Sequence, residues 1–264
     1  LPRLHSVLGS AWLALRRYDR AEAAYRRAQA LYRAAGPEWG IYVASCWRAL
    51  GVTAQAQGEF ARAEKCYWQA LAIERSPETP ALLAEAETLL RLGGLYLAWG
   101  RYTRARHCAT LVEDLFGLTC TLDQPLDYRQ VSGMAALRLG RYAQAAPLLQ
   151  DYLTDAEPAF GADHPLFGLA LLDAATLALA QGRDAEAAAT LDRARALFDR
   201  RPEQPEARGQ CRLLLARAAL AQQRWPEAQA HLDAARAILA PLGQTRAAAL
   251  ARASTDAAQG TRYA

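Results

Sequence analysis

The residues able to do chemistry in this chain are cysteine, histidine and paired carboxylates, and their spacing argues against a reaction. The five cysteines, Cys46, Cys66, Cys108, Cys120 and Cys211, are odd in number and contain no Cys-x-x-Cys pair. They read as buried or half-buried thiols in a reducing, cytoplasmic compartment. His5, His107, His164 and His231 are too scattered for a metal cluster to be read from them. Glu85 with Glu87, and Glu113-Asp114, are the acidic pairs that ordinary helix surfaces carry. The chain has no Gly-x-x-x-x-Gly-Lys phosphate cradle, no His-Glu-x-x-His and no Gly-x-Ser-x-Gly elbow. Gly93-Gly94 and Ser132-Gly133 fall in a repeated packing column. The expectation is a chain without a catalytic centre, cofactor or metal.

Charge leaves one further possibility. Residues 1–36 hold seven arginines against Asp19 and Glu22, a net +5, whereas the whole chain carries +4. Arg16, Arg17, Arg20, Arg26 and Arg27 form a candidate basic patch, interleaved with Tyr18, Tyr25 and Tyr32. Such a patch could contact phosphates and stack bases, so nucleic-acid binding is kept as a minor alternative to a solvated helix surface. No run of 18 apolar residues exists, which makes a membrane span unexpected. There is no initiator Met, and Leu1-Pro2 already begins a repeat, so the sequence reads as a fragment of a longer protein.

The elements that position these residues recur. Gly58-Glu59-Phe60, Gly100-Arg101-Tyr102, Gly140-Arg141-Tyr142 and Gly182-Arg183-Asp184 are each followed, three residues after the last member, by Ala63, Ala105, Ala145 or Ala187. Degenerate copies are Arg16-Arg17-Tyr18 with Ala21 and Gln223-Arg224-Trp225 with Ala228. A fixed period near 40 residues is the signature of an array of one supersecondary unit. The Ala, Leu, Arg, Glu and Gln excess favours helix throughout, and Val and Ile are scarce, so the fold class is all-α.

Each unit reads as two helices. The first carries a small residue at Gly9, Gly51, Gly93, Gly133, Ala175 and Ala216, which lets its partner approach closely. The turn glycine suits a helix end that needs a positive φ, and the aromatic after it can cover the join. The second helix places Ala21, Ala63, Ala105, Ala145, Ala187 and Ala228 on one face. A larger column at Tyr25, Tyr67, Leu149 and Leu191 lies on that face too, expected to plug the gap between repeats. Proline-containing connectors separate six pairs, at about 2–35, 40–75, 79–116, 124–157, 164–199 and 203–240, and an Ala-rich stretch near 243–259 suits a capping helix.

These columns resemble the tetratricopeptide repeat (TPR), with a small residue in the first helix, Gly-x-aromatic at the turn, and Ala, large, Ala in the second. The period near 42 and the connector Phe160-Gly161-Ala162-Asp163-His164-Pro165 resemble repeats of the kinesin-light-chain type. The resemblance implies a right-handed α-solenoid whose concave groove is lined by first helices. Carried over column by column, the groove residues are Arg48, Gln55, Leu90, Leu97, Gln130, Met134, Leu137, Leu169, Leu172, Thr176, Leu179, Leu213, Arg217 and Leu220. The chain has no Asn, and its one lysine, Lys65, falls in a second helix. That disfavours the clamps which pin peptide backbones with Asn or a terminal carboxylate with Lys. The leucine-rich C-terminal half suits an amphipathic helix or a peptide with spaced apolar anchors, unless those leucines merely pack against adjacent helices. The leading expectation is a protein-interaction scaffold within a larger bacterial signalling or regulatory protein. The alternative is a sensor that closes around a small molecule or signalling peptide and changes pitch.

Overall fold

The computed structural model describes residues 1–76, 81–119 and 126–242; the capping stretch expected near 243–259, and Cys120, lie outside them. Among the described residues every regular element is helical. The α-helices are α1 (Pro2–Ala14), α2 (Tyr18–Ala35), α3 (Gly40–Ala56), α4 (Phe60–Glu74), α5 (Leu82–Ala98) and α6 (Tyr102–Thr119). They continue as α7 (Leu126–Arg138), α8 (Tyr142–Phe160), α9 (Pro165–Ala180), α10 (Asp184–Asp199), α11 (Pro205–Ala221) and α12 (Trp225–Leu239). The chain divides into two compact units. The first holds Leu1–Trp99 and α6 from His107 onward; the second holds Gly100–Arg106 and everything from α7 on. Within each unit helices pack as consecutive hairpins, and the second helix of one hairpin packs on the first helix of the next. This is an all-α solenoid class of fold.

The joint of the hairpin is a backbone device. Gly58, Gly140 and Gly182 take φ of 80°, 72° and 71°. The N–H of the following residue then reaches back five residues: Glu59 to the Ala54 carbonyl (2.9 Å), Arg141 to Ala136 (2.9 Å) and Arg183 to Ala178 (2.9 Å). This is the Schellman arrangement, which satisfies carbonyls the ended helix leaves open. Arg17 to Trp12 (2.8 Å) and Arg224 to Ala219 (2.8 Å) close the same loop. There Arg16 (φ 57°) and Gln223 (φ 59°) occupy the left-handed position that the glycines hold elsewhere.

The alanine column is sealed: Ala21, Ala63, Ala105, Ala145 and Ala187 are wholly buried. The larger column packs on both sides: Tyr25 shares a core cluster with Leu50 and Cys66 of the next hairpin, and Leu191 with Leu214. A Cβ on Gly9 would lie 2.6 Å from the Tyr25 ring, one on Gly51 2.7 Å from Tyr67, and one on Gly133 2.8 Å from Leu149. The bulky residue therefore also fills the gap inside its own hairpin, opposite the first-helix glycine. A second column of close approaches recurs 41 residues apart: a Cβ on Gly168 would lie 2.6 Å from the Phe198 ring, and one on Gly209 would meet the Leu239 side chain. The turn aromatic is also less uniform than expected. Phe60 packs against Trp99 with ring centroids 5.9 Å apart, whereas Trp225 stands 63% exposed and covers no join.

Candidate interaction surface

In the first unit, the polar first-helix residues Arg48 and Gln55 are engaged by neighbouring helices. Arg48 Nη1 lies 2.8 Å from Glu87 Oε2 and 3.6 Å from Glu74 Oε1, and it donates to the Ala84 carbonyl at 3.2 Å. Glu74 is 1% exposed and accepts from Thr88 Oγ1 at 3.1 Å. Burial raises its pKa, opposed by the Thr88 hydrogen bond and by Arg48. Gln55 Oε1 accepts from the Tyr67 hydroxyl at 3.2 Å. Leu90 is buried and Leu97 half-buried. Arg48 thus clamps α3 to α4 and α5 rather than presenting a free cation.

In the second unit, α7, α9 and α11 lie side by side, each first helix touching the next. The leucine trough expected there is largely consumed by that packing. Leu172 and Thr176 are 1% exposed, and Met134, Leu137 and Leu179 are buried as well. Leu172 and Leu179 belong to a core cluster with Leu171, Leu191 and Leu214. Thr176 turns its hydroxyl back to the Leu172 carbonyl at 2.7 Å. These residues therefore contribute to the core of the unit more than to its surface. Leu169, Leu213, Gln130 and Arg217 remain half-buried and Leu220 exposed. Leu213, Arg217 and Leu220 follow one another at one-turn spacings on α11, Leu169 lies on α9 and Gln130 on α7.

Asp173, missed in the sequence, stands in the middle of this set. It is 7% exposed and accepts from Gln130 Nε2 at 2.7 Å. Burial pushes its carboxyl up to about 6, with the Gln130 hydrogen bond and the charge of Arg138 working against that rise. Burial also pulls the Arg217 guanidinium below its usual value, and Arg138 nearby adds to the effect. The signal was present: Asp173 is the lone charge in the otherwise apolar α9. Glu74, by contrast, has nothing in its sequence neighbourhood to mark it.

The basic patch does not assemble as a nucleic-acid surface. Tyr25 and Tyr32 are 4% and 3% exposed, so neither can stack a base. Arg20 lies over the Trp12 ring at 4.8 Å and Arg26 pairs with Glu22 at 2.6 Å; Arg16, Arg17 and Arg27 are exposed. Cys46, Cys66, Cys108 and Cys211 are free and buried, with burial raising each thiol. No metal-binding group of His, Cys, Asp and Glu occurs among the described residues. No helix among them is long and apolar enough to cross a membrane.

Comparison with known proteins points one way. Two family models described as tetratricopeptide repeat match residues 2–76 and 131–208. No curated protein matches the chain. Among solved structures, BtubC (BKLC) from P. vanneervenii superposes with a TM-score of 0.64 at 18% identity, covering 85% of this chain and 91% of that one. The Rap conjugation gene regulator of plasmid pLS20, solved with the Phr* peptide, gives 0.67 at 14%, covering 98% and 74%. A Podosopora anserina protein described as a kinesin light chain with nearly identical TPR-like repeats gives 0.53 at 23%, covering 76% and 97%.

Proposed function

The chain belongs to the tetratricopeptide repeat family, and on that premise we propose that it is a protein-interaction module, not an enzyme. The finer reading is that it holds a peptide segment against the α7–α9–α11 face of the second unit. The observation that carries this is the mixed character of that face: Gln130 and Arg217 stand among Leu169, Leu213 and Leu220. Peptide grooves join a few placed polar groups to apolar anchors in this way. Burial of Leu172 and Leu179 argues against a broad apolar trough, so an extended segment with one or two apolar anchors fits better than a whole amphipathic helix. Asp173 then serves to orient the Gln130 amide. Arg217 and Arg138 give the surface a preference for acidic over basic peptides. The fold shared with a Rap protein solved around a peptide supports the same reading, and a bacterial regulatory protein is the setting we propose for it.

The test is selection of a displayed random-peptide library on the full chain. Selected peptides should carry an apolar side chain near an acidic one, and should lose binding to Leu220→Asp and to Gln130→Ala. Equal binding to both variants, with helicity and melting preserved, would move the peptide site off this face.

A further inference from the structure

Helix α1 carries an apolar stripe that nothing among the described residues covers. Leu4, Val7, Leu8 and Ala11, continued by Leu15 at the helix end, follow one another at one-turn spacings on one face. Leu4 is 56% exposed and Leu8 40%, and Val7, Ala11 and Leu15 are exposed as well. The inner side of the helix, with Gly9, Trp12 and Leu13, packs on α2 and touches α3.

The later repeats show what such a stripe meets. Gly9 of α1, Gly51 of α3 and Ala216 of α11 occupy one column. Leu4 and Leu8 therefore correspond to Cys46 and Leu50 in α3, and to Cys211 and Leu215 in α11. Those four are buried. In each case the cover is the second helix of the hairpin before. Leu50 packs with Ala21 and Tyr25 of α2, and Cys46 with Ala28 and Tyr32. Cys211 and Leu215 share a core cluster with Leu191 and Ala194 of α10, and the Cys211 thiol donates to the Leu191 carbonyl at 3.6 Å.

We propose that the outer face of α1 is a docking surface for a helix of another protein, one whose face repeats small, large, small and whose flanks are acidic. The apolar half of that description follows from continuity with the interface that α2 and α10 make in the later hairpins. The alanine columns of α2, α4, α8, α10 and α12 are already buried, so none of these helices has that face to give. The acidic half follows from charge. Residues 1–18 hold Arg3, Arg16 and Arg17 and no Asp or Glu, and all three arginines are exposed. A second copy of α1 would set arginines against arginines, which disfavours self-pairing. The surface shares no residue with the α7–α9–α11 face, so it stands or falls separately from the peptide reading.

The probe is the sequence of α10, Asp184–Asp199, as a blocked and side-chain-braced peptide, since an isolated helix of this length is marginal in water. It presents Ala187, Leu191 and Ala194 on one face, with four carboxylates against Arg193 and Arg195. A reversed version carries lysine at the four acidic positions. Fluorescence anisotropy with the full chain should show the reversed peptide binding about tenfold more weakly than the acidic one at low salt, with the gap narrowing as salt is raised. Leu4→Asp and Val7→Asp, both at exposed positions, should each weaken binding by about tenfold with helicity and melting kept. Leu83→Asp, the same change at an exposed leucine of α5, should leave binding intact. Arg3→Glu combined with Arg17→Glu should bring the two peptides to equal affinity. The proposal is overturned if the reversed peptide binds the parent as well as the acidic one, if Leu83→Asp weakens binding as much as Leu4→Asp, or if neither peptide binds up to its solubility limit. It is overturned too if sedimentation shows a dimer of the chain that Leu4→Asp dissolves, which gives the face to a second copy.

Discussion

On the α3–α5 face of the first unit, Arg48 reaches Glu87, Glu74 and the Ala84 carbonyl, and Glu74 is further held by Thr88. Where α2, α3 and α4 meet, Gln29 and Trp47 each keep a buried N–H without an acceptor, and Lys65 makes no ion pair among the described residues. Both regions are polar and both are built on the hairpin of α3 and α4, the first against α5 and the second against α2. The first pairs Arg48 with carboxylates on two other helices and leaves only Glu74 Oε2 without a hydrogen-bond partner, whereas the second leaves both the Gln29 and the Trp47 N–H unpaired. A polar residue in a repeat column is therefore a packing residue until its partners have been counted. The same holds for leucines: Leu172 lies in a first-helix column and is core.

The largest effect expected follows from that distinction. A carboxylate forced in at Leu172, which is 1% exposed, loses a buried leucine and strands a charge. It should cost about 4 kcal/mol or more, a large share of the roughly 5–15 kcal/mol that holds an ordinary domain folded, and so lower the melting temperature steeply. Leu220 lies on α11 and is 40% exposed, so Leu220→Asp should melt within a few degrees of the parent. Circular dichroism on the two variants checks the contrast. Equal melting would mean that Leu172 faces an open groove after all.

A smaller effect appears only as pH changes. The Asp173 carboxyl titrates near 6 in the folded chain, above the ordinary 3.8. A carboxyl raised on folding is protonated more readily in the native state, so it favours folding at low pH and opposes it as pH rises through the window from about 4 to 6. At pH 7 the difference amounts to up to about 3 kcal/mol. Asp173→Asn keeps an acceptor for Gln130 and removes the titration. Its melting advantage over the parent should be greatest at pH 7 and vanish by about pH 4. An advantage independent of pH would place the Asp173 charge in solvent. In the first unit, Arg48→Met removes the cation beside buried Glu74 and should cost about 2 kcal/mol in urea unfolding.

Much of this fold was written in local chemistry. The left-handed turn demands glycine, so Gly58, Gly140 and Gly182 were legible one residue at a time. The alanine column was legible because only a small side chain fits between helices there. The candidate surface was read less well, because the identity of Leu172 or Gln130 says nothing about how tightly successive first helices pack. Partner choice is equally silent in the sequence. Arg48 is an arginine in either role, and only the positions of Glu74 and Glu87 on two other helices make it a clamp. The unpaired N–H groups of Gln29 and Trp47 have no local signature either, since the two residues come from different helices and only their packing leaves them without acceptors.

The smallest effect isolates the joint from everything built on it. Gln223 adopts φ 59°, a region that costs a residue with a Cβ roughly 1 kcal/mol and glycine almost nothing. Its N–H bonds to the Leu220 carbonyl at 3.0 Å, and that bond needs only backbone, so glycine retains it. Glycine also gains entropy in the unfolded chain, which offsets part of the relief. Gln223→Gly should therefore stabilise by about 0.5 kcal/mol, read as a rise in the urea midpoint at constant slope. The reverse change, Gly140→Ala, puts a Cβ where φ is 72°, although no atom lies within 4 Å to clash with it. It should destabilise by about 1 kcal/mol through backbone strain alone. If both substitutions proved neutral, the turn would not be selecting its residue by conformation, and the recurrence of Gly at this position would need an explanation outside the backbone.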